Sequence, residues 1–496
     1  MRVLVVGGGI SGLVAALDLA RAGVTVTLAE AGPVLGGKIR TERHDGFTIE
    51  HGPDSFLASR PAAITLAREL GLGEELMGTR DPRKVYIRHR GELVPMPEGL
   101  GLVLPTRLMP FVRTRLFSWP EKLRMARDLL APRQLGDEDV SVGAYLRRRL
   151  GDALVDRLAG PLVGGVYNTP VDDVSLDAIV PQLRIAERDH RSLLLAGLAE
   201  GRQARAALAS RPPTPRPLGL FVSLRGGMDR FAVAIASAAR DAGAELRTDA
   251  PVTALERRGP GVRVRFGTST SCGTNTSTSA GANASEPFDG VVLATPAPAA
   301  ARLLAAELPQ ASSALEGIPH GTSALVTLAY REGDIARGLV GHGYLVPRTE
   351  GGPISACTWT SEKWSHRAPD GHVLVRAFAR DEADSTGHPD AALIAFAREE
   401  VERTLRARAQ PLLARVSRWE GSMPRYTVGH LERVDAIERA LARWPALVAC
   451  GASYRGIGLP DCVSQGQAAA GRMLERLGAV AAEPAPSTPA PGATPA

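Results

Sequence analysis

The chain has 496 residues, 44% of them hydrophobic, and a formal net charge of +6, which supplies material for large cores and excludes a small disulfide scaffold and a disordered protein. Only four of the 59 basic residues are lysines, and the arginines are scattered among acidic residues, so the basic balance does not indicate a nucleic-acid-binding surface. An aromatic content of 4% disfavours base stacking as well.

The first 30 residues predict a strand, a helix and a second strand. Residues 3–6 form an apolar run of strand length, 11–22 have helical periodicity, and 24–28 form another short apolar run. The apolar stretch 3–17 is too short to span a bilayer, and no other window reaches about 18 apolar residues. We therefore expect no transmembrane helix.

A glycine fingerprint lies between the first strand and the helix. Gly7 allows a tight turn, Gly9 lets the backbone approach a pyrophosphate, and Gly12 permits close packing of the helix on the strand. The helix N-terminus adds partial positive charge. Glu30, at the end of the second strand, is placed to accept hydrogen bonds from a ribose diol. The pattern predicts a dinucleotide-binding site.

The rest of the chain alternates predicted helices and strands. The stretch 99–150 is the most helical part, and its segment 99–119 mixes apolar residues with arginines, a composition that suits a cavity wall, a helical core or an anionic membrane surface. Further helices and strands are bounded by turn residues, the helices at 229–242, 391–409 and 465–477 and the strands at 244–246, 252–255, 262–266, 290–295, 324–330, 343–346, 373–378 and 447–451.

Three stretches lack periodicity. Residues 211–217 carry four prolines and predict a loop or boundary. Residues 267–286 are polar and low in complexity, and 481–496 are rich in alanine and proline. We predict a flexible insertion without chemistry between two strands, and a disordered tail.

Cysteine and histidine patterns predict no metal site. The four cysteines show no CxxC spacing, so neither a metal knuckle nor a disulfide framework is indicated, and a reducing cytoplasm is expected. His51 and His430 are interpreted as structural, because no second ligand stands at metal spacing.

The segment after the second strand extends the nucleotide pattern. Residues 30–38, which contain Gly36, Gly37 and Lys38, resemble the second glycine motif of the FAD-dependent family that contains amine oxidases, phytoene desaturases and porphyrinogen oxidases. Three later segments resemble further cofactor contacts of that family, namely 226–228 followed by Val252, 292–296, and 450–458 with the helix after it. The resemblance implies FAD as cofactor, bound in an extended form by distant parts of the sequence.

Two stretches narrow the resemblance to porphyrinogen oxidases. Residues 50–57 (EHGPDSFL) are similar to that family's loop beside the isoalloxazine ring, and 451–462 (GASYRGIGLPDC) to its C-terminal signature. Trp419 with 424–430 resembles a third segment that reaches the flavin. Fingerprint and resemblance together imply these cofactor-binding residues: Gly7, Gly8, Gly9, Ile10, Ser11, Gly12, Glu30, Ala31, Gly37, Lys38, Gly52, Pro53, Asp54, Ser55, Val252, Trp419, Ile457 and Leu459.

The resemblance points to the bacterial coproporphyrinogen III and protoporphyrinogen IX oxidases and spans the chain apart from the insertion and the tail. It implies a six-electron oxidation of coproporphyrinogen III to coproporphyrin III in heme biosynthesis, with molecular oxygen reoxidising the flavin and yielding hydrogen peroxide. Protoporphyrinogen IX is the alternative substrate. An amine oxidase or carotenoid desaturase, and a non-catalytic binding protein similar to the GDP dissociation inhibitors, are more distant alternatives.

Several residues keep two interpretations. Asp54 is the nearest candidate catalytic base by sequence, or it fixes its loop together with Ser55. Arg83 stands where the resemblance places a propionate-binding arginine, whose planar fork binds carboxylates bidentately, or it is a solvated turn residue. Tyr454 stacks beside the flavin or packs a turn, and the arginines 147–149 are predicted to form an exposed helix face.

The implied fold class is α/β, with a Rossmann-like FAD-binding domain of the amine-oxidase type (GR2), a mixed-sheet substrate domain and a helical lobe. The expected divisions are discontinuous, with 1–60, 220–300 and 444–478 for the FAD-binding domain, 80–95, 165–219 and 301–443 for the substrate domain, and 96–164 for the helical lobe.

Overall fold

The computed structural model describes residues 1–101, 104–209, 218–267, 285–380 and 387–478. The predicted boundary at 211–217, the tail 481–496 and most of the predicted insertion lie outside these residues. Within the described part of the chain, every helix is too short or too polar to cross a membrane.

A five-stranded parallel sheet forms the centre of the cofactor-binding half. Its strands are short apolar runs buried on both faces, as expected of a parallel sheet covered by helices. In the first strand, Val3 and Val5 face one core while Leu4 and Val6 face the other, which is the two-residue alternation of a strand. The strands lie in the order Glu245–Arg247, Thr25–Ala29, Arg2–Val6, Gly290–Leu293 and Leu447–Ala449.

Different layers cover the two faces of this sheet. One core contains side chains of four helices, which are Ile10–Arg21, Ala62–Glu69, Asp229–Asp241 and Leu459–Arg476. The other contains side chains of a three-stranded antiparallel sheet and three helices, which are Val252–Arg258, Gly261–Phe266, Ser285–Phe288, Ala297–Leu304, Pro309–Glu316 and His430–Leu441.

A seven-stranded mixed sheet forms the second half, and the helix Asp390–Leu405 packs on it. Val85–His89 pairs in parallel with Gly343–Leu345, and the other neighbours are antiparallel. The strand order is Leu413–Pro424, His320–Arg331, His372–Ala379, Ile354–Trp359, Gly343–Leu345, Val85–His89 and Glu92–Pro95. This arrangement confirms the predicted α/β fold with a mixed sheet.

Three further small sheets lie outside these two large sheets. They are the antiparallel sheet Phe56–Leu57, Phe221–Leu224 and Leu76–Gly78, the hairpin Thr41–His44 with Phe47–Glu50, and the hairpin Leu100–Gly101 with Leu104–Pro105. Short helical turns lie at Gly73–Glu75, Glu332–Asp334, Arg348–Glu350 and Thr360–Lys363.

A helical lobe packs around its own core. Its helices are Leu108–Arg113, Trp119–Ala126, Arg127–Leu129, Val142–Leu150, Asp152–Leu154, the π-helix Val155–Gly164, Gly165–Tyr167, Leu176–Ile179, Gln182–His190 and Leu193–Ala209. Leu176, Leu183 and Leu193 share this core with Tyr145 and Leu158. The division into domains stays a prediction, and these contacts favour extending the lobe beyond residue 164.

The prediction of an exposed arginine face at 147–149 is wrong for Arg149. Its side chain is 1% exposed, because it stands three and four positions after the buried Leu146 and Tyr145 on one helix face. Its guanidinium lies 2.5 Å from Asp128 Oδ1 and 3.3 Å from Glu187 Oε1. Periodicity placed this position inside the lobe, and the two carboxylates neutralise the charge there.

Several predicted boundaries also need correction, and the helix predicted at 391–409 is Asp390–Leu405. The last helix begins at Leu459, six residues before the predicted start at 465. The predicted insertion 267–286 reaches too far, because Ser285–Phe288 is a strand paired with Gly261–Phe266. Glu286 within it lies 2.9 Å from Arg2 Nη2 and 2.6 Å from Arg247 Nη1. The low-complexity composition concealed the beginning of this strand, where the Glu286 carboxylate forms two ion pairs.

Candidate functional site

The glycines of the fingerprint have separate physical causes. Gly7 has a φ of +105°, a conformation that favours glycine. A Cβ on Gly12 would lie 2.0 Å from the Gly7 carbonyl oxygen, so a side chain there is excluded by packing. A Cβ on Gly9 would meet no atom within 4 Å. Gly9 therefore faces open space, and packing alone does not require a glycine there.

Two helices begin beside this open space. Ile10–Arg21 and Leu459–Arg476 follow the N-cap residues Gly9 and Gly458, so neither start has a capping side chain of its own. The Ser11 hydroxyl donates to the Cys462 carbonyl at 2.9 Å, which joins the first turns of the two helices. Unpaired N–H groups at two adjacent helix starts favour an anion.

The second glycine segment closes onto the first. The Gly36 N–H donates to the Gly8 carbonyl at 2.8 Å. A Cβ on Gly37, which has a φ of +59°, would lie 3.2 Å from the Gly9 Cα. The two motifs, which the sequence separates by a helix and a strand, thus form one continuous wall.

Glu30 ties these segments together. Its Oε2 accepts from the Gly8 N–H at 2.6 Å, and its Oε1 accepts from the Gly32 N–H at 2.9 Å. The Ala250 N–H donates to the Glu30 carbonyl at 2.9 Å, which brings the segment before Val252 to the same edge. This structural role was not predicted. It adds to the ribose contact that the sequence predicts, since a carboxylate has further lone pairs.

The predicted ring-side residues also meet in space. A Cβ on Gly52 would lie 1.9 Å from the Lys38 carbonyl oxygen, so the two chain segments touch. The Trp419 indole N–H donates to the His51 carbonyl at 2.7 Å. Lys38 Nζ donates to the Ser422 carbonyl at 2.5 Å, and burial lowers the pKa of this lysine. Three distant sequence segments therefore converge on one place.

Asp54 lies in a ring of donors. Its carboxylate accepts from Lys363 Nζ at 3.0 Å, from the Trp364 indole N–H at 3.0 Å and from the Ser55 hydroxyl at 2.8 Å. Burial alone would raise the pKa of this carboxyl, but the Lys363 ammonium and then the Arg376 guanidinium hold it well below its ordinary range. An ionised carboxylate with these donors is a weak proton acceptor. The contacts favour the loop-fixing interpretation over a base.

Sequence reasoning missed the three partners of Asp54 on the mixed-sheet side, Lys363, Trp364 and Arg376. One signal was present. Arg376 stands in the strand His372–Ala379, whose other residues are almost all apolar, and a charge in such a strand requires a buried partner.

A cleft of about 150 Å³ lies at the start of the last helix. Ile457 and Asp461 line it from the C-terminal segment, Tyr167 lines it from the helical lobe, and Arg60 pairs with Asp461. The Tyr426 hydroxyl donates to the Ala452 carbonyl at 2.7 Å and accepts from the Gly456 N–H at 2.8 Å. These two bonds fix the turn that precedes Leu459.

Arg83 lies in an exposed turn. Its side chain is 46% exposed, its Nε lies 3.4 Å from Asp81 Oδ1, and its guanidinium packs over Gly219. Such contacts are typical of a solvated turn residue. The propionate contact of Arg83 stays a prediction.

The histidines have structural partners. His430 is buried, its Nε2 bonds the Tyr454 carbonyl at 2.7 Å, and its ring stacks on Tyr426 with centroids 3.8 Å apart. Burial lowers the pKa of His430 to about 4. His51 Nδ1 lies 2.7 Å from the Ser417 hydroxyl. In the ranges that the structure covers, no group of three or more histidine, cysteine or acidic residues is arranged to hold a metal ion.

Tyr454 has one of its two predicted roles. Its ring is 4% exposed and packs in the core between the parallel sheet and the helix His430–Leu441. The structure therefore favours packing of a turn over stacking beside a cofactor.

Comparisons with known proteins give one family. A family model described as flavin containing amine oxidoreductase matches residues 10–474. The coproporphyrinogen III oxidase of Propionibacterium freudenreichii subsp. freudenreichii is 39% identical, over 97% of this chain and 92% of that protein. The coproporphyrinogen III oxidase of Bacillus subtilis is 34% identical, over 96% and 98%. A crystal structure of a protein from Exiguobacterium sp. 255-15 superimposes with a TM-score of 0.80 at 32% identity, covering 96% of this chain and 99% of that one.

Proposed function

Because this chain belongs to the flavin-containing amine oxidoreductase family, we propose that it oxidises coproporphyrinogen III to coproporphyrin III in heme biosynthesis. Membership makes the chain a flavin-dependent oxidoreductase. The observation that carries the substrate is the similarity, over nearly the full length, to enzymes named coproporphyrinogen III oxidase. FAD as the flavin, molecular oxygen as the acceptor and the cytoplasm as the location are parts of the same proposal.

The cradle of glycines supports FAD in particular. A pyrophosphate fits the open space at Gly9, where two helix starts present N–H groups. Glu30 lies beside this space, and we assign it to the ribose. Val252 is assigned to the adenine, because it follows Ala250, whose N–H donates to the Glu30 carbonyl. These assignments make the adenosine half of FAD the part that the parallel sheet holds.

The ring-side residues are assigned to the isoalloxazine. The segments of Gly52, Trp419 and Lys38 converge on one place, where the Trp419 and Lys38 side chains donate to backbone carbonyls, and Ile457 and Leu459 lie at the start of the last helix. In this proposal Asp54 and Ser55 fix the loop, and Asp54 does not remove a proton from the substrate. FAD held by these residues would supply a hydride acceptor that molecular oxygen reoxidises, with hydrogen peroxide as the product.

The proposed oxidation of a porphyrinogen requires little acid–base catalysis by the protein. Loss of hydride from a methylene bridge of a porphyrinogen is assisted by the adjacent pyrrole nitrogen, so the chain's task is to orient a bridge carbon and to exclude competing reactions. Three such oxidations remove six electrons and six protons and reduce three oxygen molecules to hydrogen peroxide. Arg83 is assigned to one propionate, because its side chain is 46% exposed and its planar fork can bind a carboxylate bidentately.

The proposal is tested with two substrates compared side by side. Purified protein is mixed with coproporphyrinogen III or protoporphyrinogen IX under air, and porphyrin fluorescence and hydrogen peroxide are followed together. We expect faster turnover of coproporphyrinogen III and one hydrogen peroxide for every two electrons removed. Equal or faster turnover of protoporphyrinogen IX would refute coproporphyrinogen III as the preferred substrate. A colourless protein without flavin would refute the function.

A further inference from the structure

Five charged side chains are buried in or beside the loop of residues 52–55. We name them the loop cluster: Glu50, Asp54, Lys363, Arg367 and Arg376. Their side chains are between 0% and 14% exposed. The cluster joins the two halves of the molecule, since the two acids precede or lie in the loop while the three cations lie beside or within the mixed sheet. Burial of this many charges in one place is costly unless each is paired.

Arg376 is the member of the cluster that holds the loop itself. Its Nη2 donates to the Gly52 carbonyl at 2.6 Å, and its Nη1 lies 3.7 Å from Asp54 Oδ2. It stands in the strand His372–Ala379, paired in register with Thr327 on one side and Thr358 on the other. A side chain on a strand with neighbours on both sides is held firmly, so it can fix the position of a loop.

Arg367 has a different task. Its Nη1 lies 3.2 Å from Glu50 Oε1, and its Nη2 donates to the Ser223 hydroxyl at 2.8 Å and to the Leu224 carbonyl at 3.1 Å. These contacts fasten the small sheet to the hairpin. The Ser223 hydroxyl in turn donates to the Asp54 carbonyl at 2.7 Å, so Arg367 reaches the 52–55 loop only through the small sheet.

The cluster carries more positive than negative charge. Three cations face two carboxylates, which leaves an excess of one positive charge within a low-dielectric interior. The Arg376 Nε is buried and has no hydrogen-bond partner among the described residues. Such an excess is stabilised when a negative charge develops nearby.

Hydride transfer to the bound flavin adds one negative charge to the cofactor, and fixed positive charge beside it favours that change. We propose that Arg376 is a positioning residue that holds the 52–55 loop at the flavin, and that the excess charge of the loop cluster raises the reduction potential of the bound flavin. The inference rests on the proposed flavin site. It does not depend on which porphyrinogen is the substrate.

The test is the midpoint potential of the bound flavin, which is measured without substrate. Arg376→Met and Lys363→Met each remove one cation, so we expect a more negative potential than in the wild type in both. Arg376→Lys keeps the charge but loses the planar fork, so its potential should stay near that of the wild type while flavin is lost faster in dialysis.

Arg380→Met is the matched control. Arg380 follows the same strand, is 8% exposed, and donates to the carbonyls of Gly352 at 2.9 Å and Val346 at 2.8 Å. It stands four residues from Arg376, about 13 Å along an extended chain. Its loss should lower the melting temperature and leave the flavin potential unchanged.

Each outcome decides the inference. If Arg376→Met does not fold, Lys363→Met carries the test, because Lys363 is 14% exposed and lies nearer the surface. Unchanged potentials in the variants that lose a cation, or an equal shift in Arg380→Met, would reduce the cluster to a structural role. A shift in Arg376→Lys as large as in Arg376→Met would show that charge is not the cause. A wild-type protein without flavin would instead refute the proposed function.

Discussion

At the scale of single residues, Gly9 and Gly12 differ in what requires a glycine. A Cβ on Gly12 would overlap the Gly7 carbonyl, whereas Gly9 has a φ of −70° and empty space before it. Gly12→Ala should therefore destabilise the flavin-free protein by about 1–3 kcal/mol through overpacking. Gly9→Val should leave the flavin-free melting temperature nearly unchanged and abolish FAD binding, because the valine side chain occupies the pyrophosphate space.

Melting curves of the flavin-free proteins and flavin content after dialysis separate the two variants. Full retention of FAD by Gly9→Val would contradict the placement of the pyrophosphate. A melting temperature that falls equally in both variants would mean that Gly9, too, is a packing glycine.

Arg83 allows a prediction about substrate recognition. A propionate contact exists equally in the bound substrate and in the transition state, so Arg83→Ala should raise KM with a smaller effect on kcat. Loss of one charge-assisted contact, worth about 1.5–3 kcal/mol, corresponds to a rise of roughly tenfold or more. Arg83→Lys should restore binding only in part, because a point charge does not reproduce the fork.

Steady-state kinetics with coproporphyrinogen III check this prediction, with Arg348→Ala as a control at another arginine of the mixed-sheet half. An unchanged KM in Arg83→Ala would remove Arg83 from the site and leave the family-level function intact.

At the scale of elements, the strand Ser285–Phe288 makes the outcomes of two deletions differ, although the sequence alone predicts the same outcome for both. Deleting 268–284 keeps the strand, and closure entropy depends only weakly on the length of a connection, so flavin content and turnover should stay near the wild type. Deleting 267–286 also removes Glu286, which pairs with Arg2 and Arg247 beside the parallel sheet. We expect the longer deletion to melt at a lower temperature.

Thermal melts and flavin absorbance of both purified proteins decide the matter. Loss of soluble protein in the shorter deletion would show that 268–284 contain a required element. Equal melting temperatures would show that the ion pairs of Glu286 contribute nothing measurable, as many exposed pairs do.

The helices Leu108–Arg113 and Trp119–Ala126 expose apolar side chains, which is compatible with the predicted contact with an anionic membrane surface. Phe111 and Met125 are buried in the lobe, but Met109, Trp119 and Leu123 are 61%, 66% and 67% exposed. Exposed apolar side chains among arginines suit an anionic surface. We predict binding to liposomes with anionic lipid at low salt, and weaker binding of Trp119→Ser.

Flotation with anionic and with neutral liposomes measures this binding. Leu220→Ser is the control, because Leu220 is 59% exposed but lies outside the helical lobe. Equal recovery with both lipids would exclude the electrostatic part. Recovery of most of the protein at physiological salt would change the predicted cytoplasmic location to a peripheral membrane one.

At the scale of the whole molecule, the paired carboxylate of Asp54 predicts acid sensitivity. Its pKa lies below the ordinary value in the folded protein, so its contribution to stability is complete above about pH 4, the ordinary aspartate pKa, and is lost as the pH falls through the folded pKa. Asp54→Asn leaves Lys363 and Arg376 without their carboxylate and should cost about 3–5 kcal/mol at pH 7.

Denaturant unfolding of the wild type and Asp54→Asn between pH 7 and pH 3 tests the sign. The wild type should lose stability more steeply below pH 4, so that the difference between the two proteins shrinks. Parallel curves would mean that Asp54 is not ionised and paired as described.

The sequence predicted the local features of the site better than its long-range contacts. Gly7, Gly12 and Glu30 follow from one strand–helix–strand unit, because a tight turn and a helix start are short-range constraints. The partners of Asp54 lie more than 300 residues away, at Lys363 and Arg376, and no periodicity links such positions. The prediction for Arg149 failed for a different reason, because its spacing from the buried Tyr145 and Leu146 on the same helix was a local signal that the run of three arginines concealed.

The parallel sheet has a consequence for synthesis. Its strands Arg2–Val6 and Thr25–Ala29 are synthesised about 420 residues before the strand Leu447–Ala449, which the helix Leu459–Arg476 follows. At roughly 5–20 residues per second, about 20 to 85 seconds separate these events. During that interval the nascent chain exposes an unpaired apolar strand edge and lacks the second helix start of the cradle, so the complete cradle forms only after the helix Leu459–Arg476 has been synthesised.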